Sequence, residues 1–158
     1  MDPHAGAGFV ADVEQAYRLE GPRLQRALFL YSGDRTVADD AVAEAFAQLL
    51  RRGDVVRNPA AWVWRAAFRI AAGELRDQTG REDEVPDQSY ELEEPLVDLM
   101  AALRKLSPKQ RASVVLHHFA GYPASDVAGL IGSTAAAVAV HLSRGRKRLR
   151  LLMGVVDD

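Results

Sequence analysis

Apolar residues recur at steps of three and four along most of this chain. Phe9, Val13, Ala16, Tyr17, Leu24, Ala27, Leu28 and Tyr31 form one such stripe and predict helix over 9–31. Gly21-Pro22 falls inside it and predicts a kink or a short break, because proline lacks the N–H and crowds the preceding turn. Ser32-Gly33-Asp34 reads as a turn. Val37, Ala41, Ala45, Phe46, Leu49 and Leu50 predict a second amphipathic helix over 36–52, with Asp39, Asp40 and Glu44 on its polar face. After a loop over 53–57, Asn58-Pro59 is a cap followed by a proline at the first helical position. The helix it opens runs to Arg76 and carries Trp62, Trp64, Arg65, Phe68, Arg69 and Ile70.

Periodicity then lapses. Residues 77–91 contain Gly80, Pro86 and many acids, and read as a flexible linker. Beyond it the pattern predicts a helix over 92–106. A second cap-plus-proline start at Ser107-Pro108 opens a helix through Val114, Val115, Leu116 and Phe119 that closes at Gly121. A short helix over 124–131 and a long one over 134–153 complete the pattern. The expected fold is all-α: two small helical domains, 1–76 and 92–158, each with a modest core, joined by the acidic linker 77–91.

Composition fits this picture and removes others. Apolar residues make up 48% and aromatics 7%, a mix that suits helices, and cysteine is absent, which excludes a disulfide framework and thiolate metal sites. No apolar run approaches the roughly 18 residues of a membrane span, and no basic-then-apolar stretch opens the chain. The expectation is a cytoplasmic protein without a membrane span. Net charge is −2, but it is segregated. Residues 1–76 balance ten bases against ten acids, 77–103 carry nine acids against Arg81, and 104–156 carry nine bases against Asp126. A segment of net charge +8 is a footprint expected of something that meets phosphates, although a solvated basic face has the same composition.

One spacing sharpens that reading. A helix-turn-helix needs a small residue where its helices cross, a flexible one at the turn and an apolar anchor about six residues later. Ala128, Gly132 and Val138 fill these places, and a basic run follows. A plain helical hairpin meets the same pattern. No nucleophile elbow, phosphate loop or metal-spaced set is present. His117-His118 are adjacent on a helix and point apart. The expectation is a binding protein with no catalytic residues, no metal and no cofactor.

The stretch LSPKQRASVVLHHFAGYPASDVAGLIGSTAAAVAVHLSRGRKRLR (106–150) resembles region 4 of the extracytoplasmic-function (ECF) sigma factors: Leu-x-Pro-x-x-Arg, an apolar helix ending in Gly, Asp-Val-Ala, Gly, and Leu-x-Arg-Gly-Arg-x-x-Leu. DRTVADDAVAEAFAQLL (34–50) resembles region 2.2, and Ala61-Trp62-Val63-Trp64-Arg65 resembles the opening of region 2.3. The resemblance spans about 120 residues in the family's order. It implies a bacterial promoter-specificity subunit that binds core RNA polymerase at the β′ clamp and the β flap, meets promoter DNA, and is held by an anti-sigma factor. By that resemblance Asp39, Asp40, Glu44 and Phe46 contact the polymerase, with Phe46 the more core-like. Arg51, Arg52, Arg57, Trp62, Arg65 and Arg69 serve the −10 element, where cations and flat side chains suit a separated strand. Ala139, Val140, Ser143 and Arg144 face bases of the −35 element, while His141, Arg146, Lys147 and Arg148 meet phosphates. Residue by residue the plain alternatives are a solvated charge or a core aromatic.

The sequence also departs from the family pattern. Ala43 replaces a Gln, Arg69 and Gly73 replace an Asn and an Asp, and Ala136-Ala137-Val138-Ala139 replaces Gly-Thr-Val-Lys. A divergent sigma-like protein, or another helix-turn-helix regulator that does not direct promoter melting, is the alternative.

Overall fold

The computed structural model describes residues 3–78 and 93–155. Helices α1 (Pro3–Ser32), α2 (Arg35–Arg52) and α3 (Pro59–Gln78) form the first half, and α4 (Glu94–Arg104), α5 (Pro108–Val114), α6 (Ala124–Ile131) and α7 (Ala135–Leu152) the second. A 3-10 turn, Gly53–Val55, follows α2, and a π turn, Val115–Phe119, continues α5. There is no strand among the described residues, as the helical periodicity requires. Residues 79–92, most of the expected linker, lie outside the described residues.

The helix starts follow from side-chain caps. Asp34 Oδ1 accepts from the N–H of Thr36 at 2.8 Å and of Val37 at 3.2 Å. Asn58 Oδ1 accepts from Ala61 N–H at 3.2 Å, ahead of Pro59. Ser107 and Gln110 form a reciprocal capping box, and Thr134 Oγ1 accepts from Ala137 N–H at 3.1 Å. Each cap satisfies an amide that the helix cannot, worth about 1 kcal/mol.

Of the two outcomes open at Gly21-Pro22, a kink or a short break, the break does not occur: α1 is one helix with Pro22 inside it. Pro22 is exposed, so its ring stands on the solvent side, while Leu24, Ala27, Leu28 and Tyr31 stay buried on the inner side. Burying that stripe outweighs the one hydrogen bond a proline removes. The loop expected over 53–57 contains the 3-10 turn. The helix expected from 108 to Gly121 ends as a π turn, in which Ala120 N–H reaches back to Val115 O at 3.0 Å.

Packing joins the halves. α1, α2 and α3 pack pairwise, α7 packs on α5 and α6, and α3 meets α6 while α1 meets α4 and the π turn. Buried Leu24, Leu28, Leu49, Val63 and Trp64 thus belong to one apolar cluster with Leu103, Leu116, Val127 and Val138.

Candidate nucleic-acid interface

The interface is built from α6, its turn and α7. Gly132 ends α6 with φ 66° and ψ 42°, a left-handed conformation that a side chain disfavours. Ser133 N–H bonds back to Ala128 O at 2.9 Å, Thr134 caps the next helix, and α7 departs at 104° to α6. A three-residue turn between helices at about 90–120° is helix-turn-helix geometry. Ala128 and Val138 are buried, as the spacing requires.

On α7 the inner face is Val138, Leu142 and Gly145, with Leu149 partly covered. A Cβ on Gly145 would stand 2.9 Å from Val114 Cγ2 and 3.6 Å from Gln110 O, so glycine there lets α5 come close. The outer face carries Ala136, Ala139, Val140, Ser143, Arg144, Arg146, Lys147 and Arg148, all exposed, and His141 is half-buried at its edge. Seven of the eight residues expected to meet duplex DNA are therefore brought to one open surface, which bears four cations.

The residues expected to act in the first half are more scattered. Asp39, Asp40 and Glu44 form an exposed acidic face on α2, and Phe46 lies buried beneath it against Tyr17, ring centroids 5.1 Å apart. Phe46 thus supports this face rather than forming its surface. Arg51 Nη2 pairs with Glu44 Oε1 at 3.0 Å, so a residue expected at the −10 strand is tied to the acidic face. Hydrogen bonds from Gln48 and then Arg51 hold the Glu44 carboxyl below the usual range. Arg52 and Arg57 are exposed around the 3-10 turn, and Arg65 and Arg69 are exposed one turn apart on α3. Trp62 is half-buried, whereas Trp64 is fully enclosed.

Sequence reasoning missed the residues that hold this surface to the first half. Arg111 donates Nε to Leu103 O at 2.9 Å, Nη2 to Arg104 O and Leu106 O at 3.2 Å, and Nη1 to Tyr31 O at 3.1 Å. One guanidinium therefore closes the ends of α4 and α1 together. Burial pushes its pKa down, and the Tyr31 phenol opposes that shift. Arg104 Nη2 adds a bond to Gly33 O at 3.0 Å. A second joint centres on Trp64, whose Nε1 donates to Glu20 Oε2 at 2.8 Å and whose ring meets Tyr122 edge-on at 5.2 Å. Arg23 bridges Glu20, at 3.2 Å, and Ala120 O, at 2.8 Å. Burial, and then the Glu20 carboxylate, push the Tyr122 phenol up to about 12. His117 Nδ1 donates to Tyr122 O at 2.7 Å, since a carbonyl only accepts. No cluster of three metal-ligating side chains occurs among the described residues, and no helix there is long and apolar enough to cross a membrane.

Residues 96–149, which include α6, the turn and all but the last three residues of α7, match the family model for sigma-70, region 4. Similarity continues outside that segment. The ECF RNA polymerase sigma factor SigE of Mycolicibacterium smegmatis is 28% identical over 87% of this chain and 60% of its own length. The ECF sigma factor SigJ of Mycobacterium tuberculosis is 27% identical over 78% of this chain and 46% of its own. The chain is thus similar to ECF sigma factors over most of its length, and its residues 96–149 match sigma-70 region 4. It spans about half the length of the curated relatives it matches. Among solved structures, the sigma factor RpoE in complex with the anti-sigma factor NepR from Bartonella quintana superposes with a TM-score of 0.73 at 26% identity, covering 92% of this chain and 99% of that one. CnrH, in complex with the cytosolic domain of CnrY, superposes with a TM-score of 0.74 at 22% identity over 98% and 95%, a likeness of fold. The sigma-70 region 4 match falls on the elements that present the basic outer face of α7.

Proposed function

We propose that this chain is a promoter-specificity subunit that assembles with core RNA polymerase in the cytoplasm and directs initiation, with no catalytic step of its own. The observation that carries the reading is the open, cationic outer face of α7 on a helix-turn-helix that matches sigma-70 region 4. In this reading 1–76 and 92–158 are the working domains and 77–91 the linker. The acidic face of α2, Asp39, Asp40 and Glu44, docks on the β′ clamp, and the second half meets the β flap. Arg52, Arg57, Arg65, Arg69 and Trp62 line the path of the −10 strand, offering cations and flat groups to unstacked bases. Arg51 joins them only by leaving Glu44. Arg146, Lys147 and Arg148 fix α7 on the −35 backbone, and Arg144 reaches a guanine edge. An anti-sigma factor is an expected partner, since RpoE is described in complex with the anti-sigma factor NepR.

Core polymerase freed of other sigma factors provides the test. The chain should form a stable complex with it, and charge reversal at Asp39 and Asp40 should weaken that complex at least tenfold without loss of fold. A chain that binds duplex DNA yet ignores core polymerase would make it a free-standing helix-turn-helix regulator and overturn the proposal.

A further inference from the structure

The second helix of a helix-turn-helix presents its N-terminal residues to base edges in the major groove. In α7 these are Ala135, Ala136, Ala139 and Val140, all exposed, with Val140 45% accessible. None has a side chain that donates or accepts a hydrogen bond. The preceding hydroxyl, Thr134 Oγ1, is engaged with Ala137 N–H. The inner face, Val138 and Leu142, is committed to the core, so α7 cannot roll to offer a polar stripe instead. Apart from half-buried His141 at its edge, hydrogen-bonding side chains resume on the outer face at Ser143 and Arg144.

Only one base carries an apolar group on its major-groove edge, and that is thymine, with its 5-methyl. An apolar patch alone does not choose between a protein and a nucleic acid. Here Arg144, Arg146, Lys147 and Arg148 flank it within a segment of nine bases against one acid, which selects a polyanion. We infer that the first two turns of α7 read thymine 5-methyl groups, so that the upstream duplex element carries thymines opposite Ala136, Ala139 and Val140. This rests on the reading of α7 as the helix that enters the major groove, and it names what that helix recognises. With Ala139 where the family pattern has lysine, a polar contact is exchanged for methyl contact.

The test uses the full chain bound to core polymerase. A duplex element is first selected from a randomised upstream region, and each of its thymines, on either strand, is then replaced by deoxyuridine. Uracil keeps every hydrogen-bonding group and lacks only the methyl. At one to three positions uridine should weaken binding roughly fourfold, the worth of one buried carbon group. Val140→Ala, an exposed change that leaves the core alone, should weaken the thymine duplex and shrink the uridine penalty at one position, because the two deletions remove the same contact. Equal binding of thymine and uridine duplexes at every position overturns the inference and leaves α7 as a recognition helix that reads by other contacts. A uridine penalty unaltered by Val140→Ala, Ala136→Gly and Ala139→Gly overturns it as well. Failure to select any upstream element removes the reading of α7 itself, and the inference with it.

Discussion

Arg111 is 9% exposed and serves four backbone carbonyls from two places in the chain, Tyr31 and the segment 103–106. A guanidinium can do this because its donors form a rigid fork, whereas an ammonium presents one point. Arg111→Ala leaves those carbonyls buried without donors and should lower stability by about 3 kcal/mol, with Arg111→Lys recovering little. Chemical denaturation reads both, and full recovery by lysine would mean that charge alone matters. The Leu-x-Pro-x-x-Arg pattern contains this residue, but a local pattern could not show a partner at Tyr31, eighty positions away. Tyr122 gives a pH signature. Its folded pKa lies at about 12, above the ordinary phenol value near 10. The neutral phenol is the form the fold favours, so its stabilisation is complete below pH 10 and is lost as pH rises toward 12. Tyr31, raised by burial, contributes in the same direction. The denaturation midpoint should fall above pH 10, and less steeply in Tyr122→Phe. An unchanged slope in that variant would remove Tyr122 from the alkaline transition.

Among the elements, those with explicit punctuation were legible. Asp34, Asn58-Pro59, Ser107-Pro108 and Thr134 mark helix starts by chemistry confined to four residues, and α2, α3, α5 and α7 begin there. Whether α1 runs unbroken through Pro22 was not decidable from the sequence, because the burial that overrides Pro22 comes from helices distant in sequence. The π turn escaped for a related reason: its extra residue is accommodated by contacts of His117 and Ala120 beyond the helix. Within α7, Gly145 sets the approach to α5. Gly145→Leu should cost about 1–3 kcal/mol by forcing α7 off Val114 and Gln110, despite leucine's better helix propensity. A variant as stable as the parent would show that α5 and α7 separate freely. On the outer face, Arg144→Ala should relax preference at one base pair. Lys147→Ala should weaken all sequences alike and flatten the salt dependence of binding by about one unit of slope. A uniform loss in Arg144→Ala would reassign it to phosphate.

For the whole molecule, charge segregation and the Ala128, Gly132, Val138 spacing were enough to foresee where the helix-turn-helix and its exposed basic face lie, since both depend on residues near in sequence. The joints between the halves were not foreseeable. Glu20, Arg23, Trp64 and Tyr122 acquire their roles only when α1, α3 and the turn before α6 meet, and each alone reads as a solvated charge or a core aromatic. In consequence the basic face of α7 points outward while the opposite side of its domain is occupied by the first half. The most direct test of the account is transcription from fragmented genomic DNA by sigma-free core polymerase, with the chain present or omitted, mapping RNA 5′ ends. Discrete starts that require the chain and share an upstream duplex element are expected, and Arg144→Ala should change which of them are used. A stable complex with core polymerase that yields no chain-dependent starts would contradict the proposed function.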